Sequence, residues 1–222
     1  MGRCGLFIAR LAHNLSPRVK SVSGYDRLAW IYDLMASIVF GGAIQKAQEY
    51  HLSEIRSSRQ LLIIGGGTGK ILQRIEKSGF KGSISFLDSS REMVNRAKKK
   101  GISSDVQFHL CTIEEWETPL RFDAIILPFF LDQFEGKALR NIIKKIAGLA
   151  KKGAVLICVD FQLKDKWWQH FLLKSMYIFF HRLTSIDAGS LTDPDELLAE
   201  NGWILEKQQA FYGQFIYSKV YS

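Results

Sequence analysis

The residues most suggestive of chemistry are a run of glycines and an aspartate, each placed directly after a short apolar stretch. Residues 60–69 read QLLIIGGGTG, so the glycines follow the apolar run Leu61–Ile64. Glycine adopts backbone angles closed to other residues and lets a ligand approach without a Cβ in the way. Further on, Asp88 ends the stretch ISFLD. A carboxylate at such a strand end accepts hydrogen bonds from the hydroxyls of a ribose.

Three kinds of nucleotide-binding loop compete for this glycine turn. A P-loop needs GxxxxGK[ST], but Ile64 stands where its first glycine belongs and Ile71 where its serine or threonine belongs. A dinucleotide fingerprint, GxGxxG, would place its third glycine at Lys70, so that match is weak. The form GxGxG remains, and it is filled by Gly65, Gly67 and Gly69.

The alternation of apolar segments predicts the sheet that would position this turn. Strands are predicted at residues 61–64, 83–87, 106–110, 122–127 and 154–159, with helices at 69–78, 89–100 and 135–150. Strands that alternate with helices indicate an α/β fold with a doubly wound, mostly parallel, Rossmann-like sheet and helices on both faces. The turn Lys151-Lys152-Gly153 is expected to open the fifth strand. Asp88, Ser89 or Ser90 is also a good N-cap for the helix that follows, which is compatible with ribose binding.

The two ends of the chain add helices and two further strands. Helical spacing over residues 25–56, broken at Gly41-Gly42, predicts an N-terminal helical lid over residues 1–58, with the α/β core at 59–222 in one structural domain. Residues 165–184 predict a helix rich in bulky apolar side chains. Thr192 is the predicted N-cap of a helix that ends at Asn201-Gly202. Residues 203–220 alternate well enough for two strands, the second at 211–217.

Composition limits the classes of partner. The chain has 222 residues, 47% of them apolar and 23% charged, with a net charge of +8. This excess of positive charge serves solubility in the simplest interpretation, and without an RNA-binding or helix-turn-helix signature a nucleic-acid partner is not expected. Three scattered cysteines favour a reducing cytoplasm. No histidine or cysteine spacing indicates a metal site, and no apolar stretch reaches the roughly 18 residues of a membrane span.

Taken in order, the motifs resemble those of the class I S-adenosylmethionine-dependent methyltransferases. LLIIGGGTG at 61–69 is similar to the first motif of that family, ISFLDSSREMVNRAKKK at 84–100 to its ribose motif, and FDAIILPFFLDQF at 122–134 and LAKKGAVLICVD at 149–160 to its fourth- and fifth-strand motifs. YDRLAWIYD at 25–33 is similar to a segment of the branch that includes ubiquinone and menaquinone biosynthesis C-methyltransferases. The resemblance implies seven strands, the last of them antiparallel.

The resemblance also implies which residues hold S-adenosylmethionine. They are the turn residues Gly65, Gly66, Gly67 and Gly69, the ribose-binding Asp88 with Ser89 beside it, the adenine neighbours Met93, Cys111, Thr112 and Ile113, the methionine neighbours Leu127 and Pro128, and the lid residues Tyr25 and Tyr32.

Two positions depart from the family pattern. The family often has an acid where this chain has Ile63, and an aspartate that accepts from the adenine amine where this chain has Cys111, a poor acceptor. The expected function is methyl transfer by in-line displacement to a small, aromatic or lipophilic acceptor. The departures support one alternative, a non-catalytic protein that binds S-adenosylmethionine or S-adenosylhomocysteine. The net charge supports another, an RNA or protein methyltransferase.

No catalytic residue is assigned, because methyl transfer from a sulfonium needs mainly alignment and a dry pocket. The candidates for a base are Asp132, Asp160, His170 and Tyr177. For Asp132 an N-cap role for the helix 135–150 is the favoured interpretation. The bulky residues of segment 165–184 are expected to lie mostly in the core. The alternatives for them are an apolar acceptor pocket, a peripheral membrane contact or self-association.

Overall fold

The computed structural model describes residues 40–102, 105–164, 166–173 and 193–222. The predicted lid residues Tyr25 and Tyr32, the candidate base Tyr177, the predicted N-cap Thr192 and the later part of segment 165–184 lie outside the described residues. The division into a lid at 1–58 and a core at 59–222 stays a prediction.

Seven strands of the described residues form one sheet in the order β3-β2-β1-β4-β5-β7-β6. They are β1 Gln60–Ile64, β2 Ser83–Asp88, β3 Val106–Leu110, β4 Phe122–Pro128, β5 Ala150–Phe161, β6 Leu205–Phe211 and β7 Ile216–Tyr221. Strands β1 to β5 pair in parallel, whereas β7 runs antiparallel to both of its neighbours. The predicted doubly wound sheet with a reversed last strand is confirmed.

The central strands carry continuous apolar runs because both of their faces are covered. In β1, Leu61 and Ile63 pack into one hydrophobic cluster, and Leu62 and Ile64 into the cluster on the opposite face. All four side chains are buried. Successive side chains of a strand point to opposite faces, so a continuous apolar run is the signature of a sheet between two helical layers.

Helices flank the sheet between its strands. They are Ala43–Tyr50, Lys70–Lys77, Arg91–Lys98, Gly136–Leu149 and Asp195–Glu200, with 3₁₀ turns at Leu52–Ile55 and Leu131–Gln133 and a helical segment at 167–173. The helix Gly136–Leu149 buries one face, formed by Leu139, Ile142, Ile143, Ile146 and Leu149. These positions recur at helical spacing, which is why the helix was predictable.

Two sequence predictions about the later strands are wrong. Lys151-Lys152-Gly153 does not precede β5 as a turn. It lies within β5, where the pairing with β4 jumps from Phe122↔Ala150 to Ala124↔Val155. Gly153 takes a φ of 73° there, so the glycine serves a bulge in the strand.

The second wrong prediction placed a strand at 211–217 around Gly213. That region holds the turn between β6 and β7, and Tyr212, Gly213 and Gln214 all have positive φ angles there. The preceding helix begins after Pro194 at Asp195 and ends at Asn201, so the Asn201-Gly202 stop is confirmed. Asp193 Oδ1 accepts from the amide of Asp195 at 3.1 Å.

Candidate functional site

The carboxyl ends of the five parallel strands gather the predicted site residues at one edge of the sheet. The register places the end of β1 beside the end of β2, through Ile64↔Leu87, and Asp88 beside Leu110 at the end of β3. On the other side, Pro128 at the end of β4 lies beside Val159 of β5. Ligands of open α/β sheets bind at this edge.

The glycine turn leaves β1 with three residues in the left-handed region. Gly65, Gly67 and Gly69 have φ angles of 70°, 58° and 74°. The amide of Gly65 donates to the carbonyl of Leu87 at 2.9 Å, and the amide of Gly69 to the carbonyl of Gly66 at 3.2 Å. L side chains rarely adopt such angles, so the backbone path itself requires glycine at these three positions.

Close packing adds a second requirement at Gly66 and Gly69. A Cβ on Gly66 would lie 2.1 Å from Cε2 of Phe86, and one on Gly69 would lie 2.7 Å from Cα of Ala97. Around Gly67 no atom of the described residues lies within 4 Å of the corresponding position. The turn therefore packs on β2 and on the helix Arg91–Lys98, while its Gly67 side is open for a ligand.

Asp88 ties the glycine turn to the next helix. Its Oδ2 accepts from the amide of Gly67 at 2.9 Å, and its Oδ1 accepts from the amide of Ser90 at 2.8 Å. Burial raises the pKa of this carboxyl, and the two backbone hydrogen bonds oppose that rise. Each carboxylate oxygen has a second lone pair, so Asp88 fixes the turn and retains acceptor capacity.

Ser90 is the N-cap of the helix Arg91–Lys98. Its hydroxyl accepts from the amide of Met93 at 3.4 Å, which decides among the three N-cap candidates and leaves Asp88 on the glycine turn. Ser89 is exposed beside Asp88, and Met93 is partly buried on the first turn of the helix.

The residues after β3 form a turn that covers the same edge. Cys111 is partly buried, Thr112 is exposed and Ile113 is buried. The carbonyl of Thr112 accepts from the amide of Trp116 at 3.1 Å, and its hydroxyl from the amide of Glu115 at 3.4 Å. These bonds fix three of the four predicted adenine neighbours on a short turn.

The end of β4 brings an aromatic pair to the glycine turn. Leu127 and Pro128 are buried in the strand. After them, Phe129 has a φ of 55°, uncommon for a residue with a side chain and typical of functional sites. A Cβ on Gly65 would lie 2.8 Å from Cδ2 of Phe130, so Phe130 packs directly on the turn.

Asp160, at the end of β5, holds the segment that follows β4. It is 1% exposed, and its Oδ2 accepts from the amides of Leu131 and Asp132, both at 3.1 Å. The bond to the amide of Asp132 brings the two carboxyl groups close enough for each to influence the pKa of the other. Burial raises the pKa of Asp160 well above its usual range and that of Asp132 to about 6.

The predicted N-cap role of Asp132 is wrong. The helix Gly136–Leu149 begins after Glu135 and has no side-chain cap, and Asp132 lies in the preceding 3₁₀ turn. The pairing of Asp132 with Asp160 was missed because sequence reasoning considered only partners close along the chain, and these two residues are 28 positions apart. The signal that could have found it is the placement of both acids just after adjacent parallel strands.

Aromatic side chains line the edge beyond β5. Phe161 packs between Phe129 and Phe215, with ring centroids 4.8 Å and 5.2 Å apart. Trp168 packs against Phe215 and would contact a Cβ on Gly213 at 2.9 Å. The expected core position therefore holds for Trp168 within the described part of segment 165–184.

Other residues of that segment face outward. Trp167 is 79% exposed and Phe171 is 70% exposed, and the candidate base His170 is also exposed. The expectation of a core position is wrong for the first two. Among the described residues, no helix has the length and apolar character to cross a bilayer, and no three His, Cys, Asp or Glu side chains come together as metal ligands.

Comparison with known proteins finds that this chain is similar to methyltransferases. Residues 61–153 match the family model described as a methyltransferase domain. The ubiquinone/menaquinone biosynthesis C-methyltransferase UbiE of Saccharophagus degradans is 26% identical over 181 residues, which cover 75% of this chain and 68% of that protein. The enzyme of the same name from Pseudomonas paraeruginosa is 29% identical over 157 residues, which cover 66% of this chain and 60% of that protein.

A solved structure shares the fold over nearly the whole chain. The 1,6-didemethyltoxoflavin-N1-methyltransferase of Burkholderia thailandensis, solved with 1,6-didemethyltoxoflavin and S-adenosylhomocysteine, superposes with a TM-score of 0.60 at 16% identity. The match covers 93% of this chain and 92% of that one. Sequence identity this low supports the shared architecture alone.

Proposed function

We propose that this chain, which carries a class I S-adenosylmethionine-dependent methyltransferase domain, transfers a methyl group to a small aromatic or lipophilic acceptor. The observation that carries the proposal is the joint geometry of the glycine turn and Asp88. A turn with an open face at Gly67 and a carboxylate bonded to that same residue lie at the carboxyl edge of a parallel sheet.

The residues present fit the nucleoside part of S-adenosylmethionine. The open space at Gly67 admits a ligand against the backbone, and Asp88 retains lone pairs for ribose hydroxyls. Ser89 is exposed next to it. Cys111, Thr112 and Ile113 form the neighbouring turn, where Ile113 supplies an apolar surface for adenine. The backbone of the 111–113 turn is then the available source of polar contacts for adenine, because a thiol is a weak acceptor.

The residues of the chain contribute alignment and exclusion of water. S-adenosylmethionine, when bound, supplies a methyl group already activated by the sulfonium. Phe130 fixes the glycine turn from the β4 side, and Asp160 fixes the segment that carries Phe130. Because an in-line displacement depends on the alignment of donor and acceptor, holding both within one rigid edge accounts for much of the rate. We propose that Tyr25 and Tyr32 close this edge from the lid.

Two features support an aromatic or lipophilic acceptor. The rings of Phe129, Phe161 and Phe215 pack together beside the end of β4, where Phe161 and Phe215 are buried and Phe129 is partly exposed, so this end of the edge is apolar. The names of the relatives place those proteins in ubiquinone and menaquinone biosynthesis. A hydroquinone of one or two rings is therefore the acceptor class that we propose to test first.

Calorimetric titration with S-adenosylmethionine and S-adenosylhomocysteine tests the proposal. We expect micromolar binding of both by the wild-type protein and a loss of at least about tenfold in Asp88→Ala, since a hydrogen bond that involves a charged group contributes roughly 1.5–3 kcal/mol. Asp123→Ala is the matched control, because Asp123 accepts from the amides of Arg59 and Gln60 at the opposite edge of the sheet.

Transfer is then measured with labelled S-adenosylmethionine and the reduced forms of benzoquinone and 1,4-naphthoquinone. A labelled product supports the proposal. Binding of S-adenosylhomocysteine without transfer to any small acceptor would favour the non-catalytic alternative. Folded protein that binds neither ligand would contradict the proposed cofactor site itself.

A further inference from the structure

Two carboxyl groups, those of Asp132 after β4 and Asp160 near the end of β5, are not explained by cofactor binding. Phe130 contacts Gly65, and Asp132 follows it by two residues. The amide of Phe129 donates to the carbonyl of Val159 at 2.7 Å, which fixes the start of this segment against β5. Asp132 therefore lies next to the part of the edge where an acceptor must approach the cofactor.

Asp132 and Asp160 differ in what surrounds each of their oxygen atoms. Asp160 Oδ2 accepts two amides and its Oδ1 accepts the amide of Phe161 at 3.0 Å. By contrast, Oδ1 of Asp132 is buried and has no hydrogen-bond partner among the described residues. A buried oxygen without a partner costs free energy, and a donor on a bound molecule would remove that cost.

We propose that Asp132 and Asp160 hold a single proton between them, and that Asp132 is the general base that takes the proton leaving the acceptor. The inference rests on the methyl transfer proposed above. Asp160 and Oδ1 of Asp132 are buried, and the two residues are joined through the amide of Asp132. Two adjacent carboxylates resist double ionisation, so one proton stays with the pair. The pair then carries one negative charge, and Asp160 is the positioning residue.

The charged and titratable groups around the pair leave this charge in place. Cys158 and Tyr217 lie beside Asp160 on β5 and β7, and burial raises the pKa of both, so both stay neutral. Lys219 on β7 is held by Asp195, at 2.7 Å from both of its carboxylate oxygens. Among the described residues, no lysine, arginine or histidine forms an ion pair with Asp132 or Asp160.

The proposed step balances. An O–H, N–H or C–H bond of the acceptor breaks, its electron pair stays on the acceptor, and the proton forms an O–H bond at Asp132. The acceptor's electron pair forms the bond to the methyl carbon, and the electrons of the broken carbon–sulfur bond remain on sulfur. The protonated pair then returns its extra proton to water after the product leaves.

The test uses three variants of the full chain. Asp132→Asn keeps the shape of the side chain and removes the base. Asp160→Asn keeps a hydrogen-bonding side chain that does not titrate. Asp123→Asn is the control, because Asp123 lies on β4 at the opposite edge of the sheet. The probes are S-adenosylhomocysteine by calorimetry, single-turnover transfer of labelled methyl to reduced 1,4-naphthoquinone, and a pH titration of ¹³Cγ-labelled aspartates by NMR.

We expect Asp132→Asn to lower transfer by about 100- to 10,000-fold, the usual contribution of a general base, with unchanged affinity for S-adenosylhomocysteine. In Asp160→Asn the acid limb of the rate profile and the ¹³C titration of Asp132 should both move to higher pH, because the interaction with Asp160 lowers the pKa of Asp132. The control should match the wild type in transfer.

Three results would overturn the inference. They are transfer by Asp132→Asn at the wild-type rate, an acid limb that Asp160→Asn leaves in place, or titration of wild-type Asp132 near the ordinary value of about 4. Failure of S-adenosylhomocysteine to bind would instead reject the proposed function, and the base role with it, while the ¹³C titration would still decide whether the pair shares a proton.

Discussion

The two halves of the carboxyl edge differ in the groups that form them: mainly backbone in one half, side chains in the other. On the β1–β2 side, the glycine turn and Asp88 form a site whose shape depends on backbone angles and amide groups. On the β4–β5 side, two carboxyl groups and several aromatic rings pack together, most of them buried. In the proposed function the first half holds the cofactor and the second faces the acceptor. A cofactor site can then depend mainly on backbone, whereas an acceptor site depends on side chains.

Adding one methyl group to the glycine turn should cause the largest loss of stability and of ligand affinity. In Gly66→Ala the new Cβ would lie 2.1 Å from Phe86, so the turn must move. We expect a stability loss of about 1–3 kcal/mol from overpacking and a loss of affinity for S-adenosylhomocysteine of at least ~100-fold, about 2.8 kcal/mol. Urea unfolding and calorimetry measure the two effects.

Gly67→Ala separates ligand binding from packing within the same turn. Within the described part of the chain, no atom lies within 4 Å of its new methyl group. Stability should therefore fall by only about 1–2 kcal/mol, the cost of a left-handed backbone for a residue with a Cβ. The loss of affinity should equal that of Gly66→Ala. If this variant binds S-adenosylhomocysteine as the wild type does, the open face of the turn is not where the ligand lies.

The buried carboxyl groups of the β4–β5 side should make the free energy of unfolding depend on pH. The pKa of Asp132 is about 6 in the folded state, against about 3.9 unfolded, so the folded protein binds more protons between these values. The free energy of unfolding should therefore fall as pH rises from about 4 to 6, by on the order of 1–3 kcal/mol from this residue. Urea unfolding at a series of pH values measures it.

Asp132→Asn should flatten that fall, and at pH 7 it should be more stable than the wild type. Asp123→Asn provides the opposite case. Hydrogen bonds from Lys151 and from two amides lower the pKa of Asp123 below its usual value. Asp123 therefore stabilises the folded state fully above the usual pKa of an aspartate, and this stabilisation is lost as pH falls through the folded pKa. Equal slopes in Asp132→Asn and the wild type would contradict the buried pair.

The sequence predicted the glycine half far better than the carboxylate half. The turn at Gly65, Gly67 and Gly69 and its position beside Asp88 follow from local backbone and fixed spacing, and their role in cofactor binding stays a prediction. Asp132 was assigned to the wrong partner because its backbone amide is held by the carboxyl group of Asp160, on β5. Spacing along the chain does not report such contacts, and the turn at 212–215 was misread as a strand because aromatic residues there pack on Trp168.

The smallest expected effect concerns two neighbouring tryptophans, Trp167 and Trp168, which differ in burial. Trp168 packs on Tyr212, Phe215 and Gly213, whereas Trp167 is 79% exposed. We expect Trp168→Ala to cost about 2–4 kcal/mol as a partly buried large residue, and Trp167→Ala less than about 0.5 kcal/mol. Thermal unfolding measures both, and similar shifts in the two variants would contradict the described packing.

The reversed direction of β7 has a practical consequence for attaching this protein to a surface. The strand starts at Ile216, opposite Phe161, and ends at Tyr221, opposite Leu156, so it runs away from the carboxyl edge. Ser222 then exchanges two backbone hydrogen bonds with Ile204, at 2.9 Å and 3.0 Å. A handle joined after Ser222 would hold the molecule with its binding edge turned to the solution, which suits sensor chips and pull-down resins.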